Sequence, residues 1–67
     1  MSVAKVTEIT ASSDKSFDHA MEVGIKRAAE TLDGIQGAWV NEMTVKVKGS
    51  EIVEYRVNMK VTFVLKN

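Results

Sequence analysis

The chain has 67 residues, with 9 Lys+Arg against 9 Asp+Glu, 45% hydrophobic and 27% charged residues, and neither cysteine nor proline. That length allows a single domain spanning residues 1–67, and the composition is that of a folded globule. A formal charge of zero removes the electrostatic footprint that nucleic acid or an anionic membrane surface requires, and the missing thiols exclude disulfides, thiolate metal sites and a cysteine nucleophile.

The first element expected is a strand over Val3 to Thr10, VAKVTEIT, which is rich in β-branched residues and partly alternating. The start Met1-Ser2-Val3-Ala4-Lys5 has no charged opening followed by an apolar run, so the expected location is the cytoplasm. Ala11 to Lys15 is a polar break, and Ser13 or Ser16 can cap a helix after it by accepting an orphan backbone N–H. Phe17 to Leu32 has helical spacing. Phe17, Ala20, Met21, Gly24, Ala28 and Leu32 fall three or four apart on one stripe, which Ile25 and Ala29 widen. Asp33-Gly34 ends it, with Gly34 free to take a left-handed dihedral.

Two further strands follow, Gly37 to Lys48 and Glu51 to Leu65, joined by a two-residue Gly49-Ser50 turn. In the last strand Val53, Tyr55, Val57, Met59, Val61, Phe63 and Leu65 alternate with a mainly polar set, which is the signature of a half-buried strand. The order is β-α-β-β, an α+β fold with a three-stranded antiparallel sheet packed on one helix.

Size and length then create a shortage. Below ~70–80 residues one core rarely supplies more than ~3–5 kcal/mol, and without disulfides or an evident metal cluster the remaining remedy is self-association. The helix spans roughly 24 Å at its rise per residue and the last strand roughly 46 Å, so the helix cannot cover the strand's whole apolar face. A plain two-residue turn places Trp39, Met43, Val45 and Val47 on the face opposite Tyr55 and Phe63, leaving apolar residues on both sides of the sheet. A bulge near the turn reverses that assignment.

No catalytic constellation is visible. His19 is the single histidine, and its neighbours Ser16 and Asp18 do not point at it from such spacing on a helix, so this segment reads as a solvated helix face. Paired acids such as Glu51 and Glu54, and the cations Lys46, Lys48, Arg56 and Lys60, read as edge and surface charges, with a weaker reading of the cations as a phosphate-meeting strip. Trp39 has the strongest binding potential, as an indole face stacks on flat heterocycles, although composition alone favours a core or subunit contact for it.

The segments KVTEIT, SSDKSFDHA, RAAETLDGI and above all EYRVNMKVTFVL, in that order across nearly the whole chain, resemble the dodecins. The resemblance implies a hollow homododecamer with subunit seams along the long strands. It also implies flavin, FMN or riboflavin, stacked in pairs between symmetry-related Trp side chains and hydrogen-bonded by a Gln of the last strand, for storage rather than turnover. On the family spacing the Gln position holds Arg56 and the stacking position holds Gly37, with Trp39 two residues further on and on the same side. The expected ligand-binding residues are therefore Trp39 for stacking, Arg56 and Lys60 for polar or phosphate contacts, and Gly37 at the vacated stacking position. The expectation is a non-enzymatic flavin-sequestering oligomer. The alternative is a flavin-free shell or scaffold that binds ions or another small anion.

Overall fold

The computed structural model describes residues 3–65. It contains β1 (Ala4–Ser13), α1 (Phe17–Ala29), β2 (Ile35–Lys48) and β3 (Glu51–Val64). The three strands form one antiparallel sheet in the order β1-β3-β2. The β-α-β-β order read from the pattern is the observed one.

The polar break begins later than its composition suggests. Ala11, Ser12 and Ser13 have modest strand preference, yet they continue β1 because they pair with Val57, Arg56 and Tyr55 of β3. Long-range pairing here overrides local propensity. The hydroxyl of Ser16 accepts the backbone N–H of His19 at 3.0 Å, so Ser16 is the N-cap of α1. The helix stops at Ala29, three residues before the expected end at Leu32. The amides of Thr31 and Leu32 both turn back to the Ala28 carbonyl, and Gly34 adopts φ 74°.

One face of α1 packs on the sheet. Ala20, Gly24 and Ala28 are buried, and Phe17, Met21 and Ile25 are partly so. Ala29, expected to widen this stripe, is exposed. Opposite them Val57, Met59 and Val61 are fully enclosed, and Ile9 and Ala11 complete the core. The Phe17 and Tyr55 rings meet edge to face with centroids 5.1 Å apart, closing the helix N-terminal end. Small residues at the centre let the helix come close. A Cβ on Gly24 would lie 2.9 Å from the Ala11 Cβ and 2.8 Å from the Met59 Cε.

Three irregularities decide which side chains share a face. Between β2 and β3 the register shifts at Ile35/Gly37, Val40/Glu42 and Lys46/Val47, leaving Gln36, Asn41 and Val53 as surplus residues. The shift near the turn brings Val45 opposite Tyr55 and Met43 opposite Val57, on the helix side. This corrects the assignment of Met43, Val45 and Val47 to the far face that a regular hairpin gives. The second shift restores Trp39 to the far face, opposite Lys60. The apolar surplus is therefore lateral. The helix packs mainly on β1 and β3 and leaves the helix side of β2 largely uncovered. Val40, Met43, Val45, Val47, Ile52 and Val53 are all exposed.

Candidate functional site

The face of the sheet away from α1 is a polar grid, because cross-strand partners point to the same side. Read from β1 through β3 to β2, its rows are Val6–Thr62–Gly37, Glu8–Lys60–Trp39, Thr10–Asn58–Glu42 and Ser12–Arg56–Thr44, followed by Glu54–Lys46. Acids and bases are intermixed over the three strands, so no single-sign patch forms. The weaker reading of Lys46, Lys48, Arg56 and Lys60 as a positive strip is not what the structure presents, since Glu54, Glu8 and Glu42 interleave with three of them and Lys48 lies opposite Glu51.

Asn58 ties the three strands together. Its amide nitrogen donates to Glu8 Oε2 at 3.0 Å, to Thr10 Oγ1 at 3.0 Å and, at a longer 3.4 Å, to the Ile9 carbonyl. Its amide oxygen accepts from Asn41 Nδ2 at 3.0 Å, which holds the surplus residue of β2 against β3. Sequence reasoning did not single out Asn58. Its position between Arg56 and Lys60 on the polar side of an alternating strand was the available signal.

The four expected binding residues lie on this face but not in one place. Trp39 and Lys60 are direct cross-strand partners, and the indole is 49% exposed. Gly37 occupies the next row, opposite Thr62, whose hydroxyl donates to the Gly37 carbonyl at 3.1 Å. A Cβ on Gly37 would meet nothing nearer than Thr62 Oγ1 at 3.7 Å, so the empty stacking position is a matter of residue choice and not of space. Arg56 lies four residues from Lys60 along β3, roughly 13 Å at the strand rise. Its Nη2 donates to Glu54 Oε2 at 2.9 Å. A guanidinium engaged with its own carboxylate on this sheet presents less of its donor fork to a ligand. Within one copy, Trp39 and Arg56 are too far apart to grip the same ring system.

Arg56 lies beside two shallow depressions on this face. One, of about 320 Å³, is lined by Thr10, Glu42, Thr44, Arg56 and Asn58. The other, of about 270 Å³, is lined by Thr44, Val45, Lys46, Glu54 and Arg56. The first offers one carboxylate, two hydroxyls and an amide next to a cation. Among the described residues no group of three or more His, Cys, Asp or Glu side chains converges. A hard cation such as calcium takes six to eight oxygen ligands. Of the groups lining that depression only Glu42 is a carboxylate, and the nearby Glu8 already accepts from Asn58.

His19 also behaves differently from its sequence reading. Its Nδ1 lies 2.6 Å from the hydroxyl of Ser13, a buried residue at the end of β1, rather than from Ser16 or Asp18. The Lys15 amide donates to the same Ser13 oxygen at 2.9 Å, leaving the hydroxyl hydrogen available to Nδ1. This knot fastens the end of β1 to the first turn of α1. The spacing Ser13-Ser16-His19 was the visible trace of it.

With this geometry in hand, comparison with known proteins identifies the relatives. The dodecin family matches residues 3–66. The chain is 33% identical over 63 residues to the calcium dodecin of Mycobacterium tuberculosis, covering 94% of this chain and 89% of that protein. A dodecin from Streptomyces davaonensis superposes with a TM-score of 0.93 at 32% identity, covering 98% of this chain and 97% of the other. The crystal structure of the calcium dodecin of M. tuberculosis, described as calcium chelating with a novel calcium-binding site, superposes with a TM-score of 0.82 at 30% identity and covers 96% and 91% of the two chains. The chain belongs to the dodecin family.

Proposed function

We propose that this dodecin is a non-catalytic homo-oligomer that holds a hard cation, of which calcium is the type, at the seams between its copies, and not flavin in the family manner. One observation carries the reading: the two positions that would grip an isoalloxazine ring are spent, Gly37 offering no ring and Arg56 being bound to Glu54. The same face also carries a set of oxygen ligands. Glu8 and Glu42 flank Asn58 and Thr10 in adjoining rows, and carboxylate, amide and hydroxyl oxygens are the ligands hard cations take. One carboxylate lines the depression in a single copy, so a second copy's carboxylates would strengthen the shell at a seam. The calcium dodecin relative supports the choice of ion.

The exposed Trp39 beside Lys60 favours a second reading, in which an indole displaced by two residues still stacks a flavin whose phosphate meets the lysine. The two separate in one experiment on the purified assembly. Calcium is titrated after chelator treatment with binding followed by calorimetry, and riboflavin and FMN are titrated with their fluorescence as readout. Saturable calcium binding that is lost in Glu8→Gln/Glu42→Gln, with flavin fluorescence unquenched at micromolar protein, is the expected result. Flavin quenching that disappears in Trp39→Ala, without calcium binding, overturns it.

A further inference from the structure

Arg56 stands between two carboxylates on the polar face. Along β3 its neighbours on that face are Glu54 and Asn58, two residues to either side, and across the strands it faces Ser12 and Thr44. The register is regular from Glu42↔Asn58 to Lys46↔Glu54, so Glu42 lies on one diagonal from Arg56 and Lys46 on the other. Diagonal neighbours on a sheet are roughly 7–8 Å apart, a gap that long side chains span. The guanidinium can therefore reach either acid, and it is bonded to Glu54, with Nη2 at 2.9 Å from Oε2. The Arg56 side chain is 54% exposed, which leaves it room to turn. It borders both depressions on this face, the smaller one with Glu54 and Lys46 and the larger one with Glu42, Thr10 and Asn58.

The two carboxylates have unequal surroundings. Glu54 is bonded to Arg56 and has a second cation, Lys46, directly opposite. Glu42 shares its row with Asn58 and Thr10, and among the described residues it forms no ion pair. Glu42 is thus the acid left open to an outside cation. Of the cations on this face, Arg56 is the one that lines the same depression as Glu42; Lys60, beyond Asn58, does not.

We propose that Arg56 is a tethered competitor for the cation site. Held by Glu54, it leaves Glu42 free to take a divalent cation. Released, it turns across the diagonal, pairs with Glu42 and covers the depression with its own charge. A guanidinium and a divalent cation repel each other at one carboxylate, so the two states exclude each other. Glu54 is then a positioning residue that acts on the ion through Arg56, and Lys46 tunes it by drawing on the same carboxylate. Exposed ion pairs are weak, so the control is graded and not all-or-none. The inference rests on the cation site of the function proposed above and adds how its affinity is set.

Four full-length assemblies provide the test: the parent, Glu54→Gln, Arg56→Gln and the double variant. Each is stripped with chelator, checked by sedimentation for parental assembly, and titrated with calcium by calorimetry. Glu54→Gln should weaken binding by about two- to fivefold, the range that an exposed ion pair carries. Arg56→Gln should tighten it. The double variant should bind as Arg56→Gln does, because Glu54 has nothing left to hold. Should Glu54→Gln fail to assemble, Lys46→Gln takes its place with the opposite sign: it should tighten binding, and by a larger factor with Arg56 present than in the Arg56→Gln background. A Glu54→Gln effect of the same size with and without Arg56 means that this carboxylate acts by charge alone. That result, or an unchanged affinity in Glu54→Gln, overturns the competition while leaving calcium binding in place. A parent assembly that takes up no calcium overturns both.

Discussion

Gly24→Ala tests how closely the helix and sheet are fitted. In an ordinary helix this exchange stabilises by about 0.5–1 kcal/mol, because glycine loses more backbone freedom on folding. Here the new methyl would lie 2.9 Å from Ala11 Cβ and 2.8 Å from Met59 Cε, against the roughly 3.5–4.0 Å at which carbon atoms rest. Met59 can turn its terminal methyl, although it is enclosed. Ala11 Cβ is fixed to the backbone of β1 and cannot. The helix must lift, and overpacking of this kind costs about 1–3 kcal/mol. The expected net loss is about 1 kcal/mol, which for a domain of this size lowers the unfolding midpoint by about 4–8 °C. Thermal melts are followed by far-ultraviolet circular dichroism at matched protein concentration, since the midpoint of an oligomer depends on it. Ala29→Gly, on the exposed side of the same helix, calibrates propensity alone. Adding Ala11→Gly to Gly24→Ala should recover part of the loss beyond the sum of the two single changes. A Gly24→Ala protein that melts higher than the parent refutes the close-approach argument.

Three further outcomes follow from the same geometry. Gly37→Trp with Arg56→Gln should create micromolar quenching of riboflavin fluorescence, because Gly37 has open space and the scaffold superposes on a dodecin with a TM-score of 0.93; unchanged fluorescence would show that the seam differs in more than these two residues. Gly49 has φ 67°, so Gly49→Ala should destabilise by about 1–2 kcal/mol in chemical denaturation, with Gly49→Asn markedly milder. Asn58→Asp places a carboxylate against Glu8 and opposite Glu42 while removing the amide donor, and should cost about 1–3 kcal/mol near neutral pH; equal stability in urea titration would dismiss its role as the tie between strands.

The order of elements was legible because the periods are clean. Seven alternating residues from Val53 to Leu65 allow few readings other than a strand, and the Phe17–Ala28 stripe allows few other than a helix. The faces of β2 were not legible. Parity flips with every surplus residue, and nothing in the composition of Gln36, Asn41 or Val53 announces a bulge. The end of β1 was missed for a different reason: Ala11-Ser12-Ser13 looks like a loop, and only its pairing with Val57, Arg56 and Tyr55 makes it a strand. Of the site, the shared side of Trp39 and Gly37 could be read, because a two-residue step preserves the face. That Arg56 turns to Glu54, and that Asn58 gathers Glu8, Thr10 and Asn41, depends on side-chain reach across strands and left no linear pattern.

The surplus residue Asn41 makes β2 two instruments on one string. Toward the hairpin, Met43 and Val45 lie on the helix side of the sheet; beyond Asn41, the phase is reset so that Trp39 and Gly37 answer to the polar side. Removing that one residue would not merely shorten the strand. It would transpose everything from Ile35 to Val40, sending the indole toward the helix layer and Ala38 and Val40 into the charged grid. A single-codon deletion here would thus exchange the audience of five side chains at once, while substitutions on either side of Asn41 remain free to vary independently.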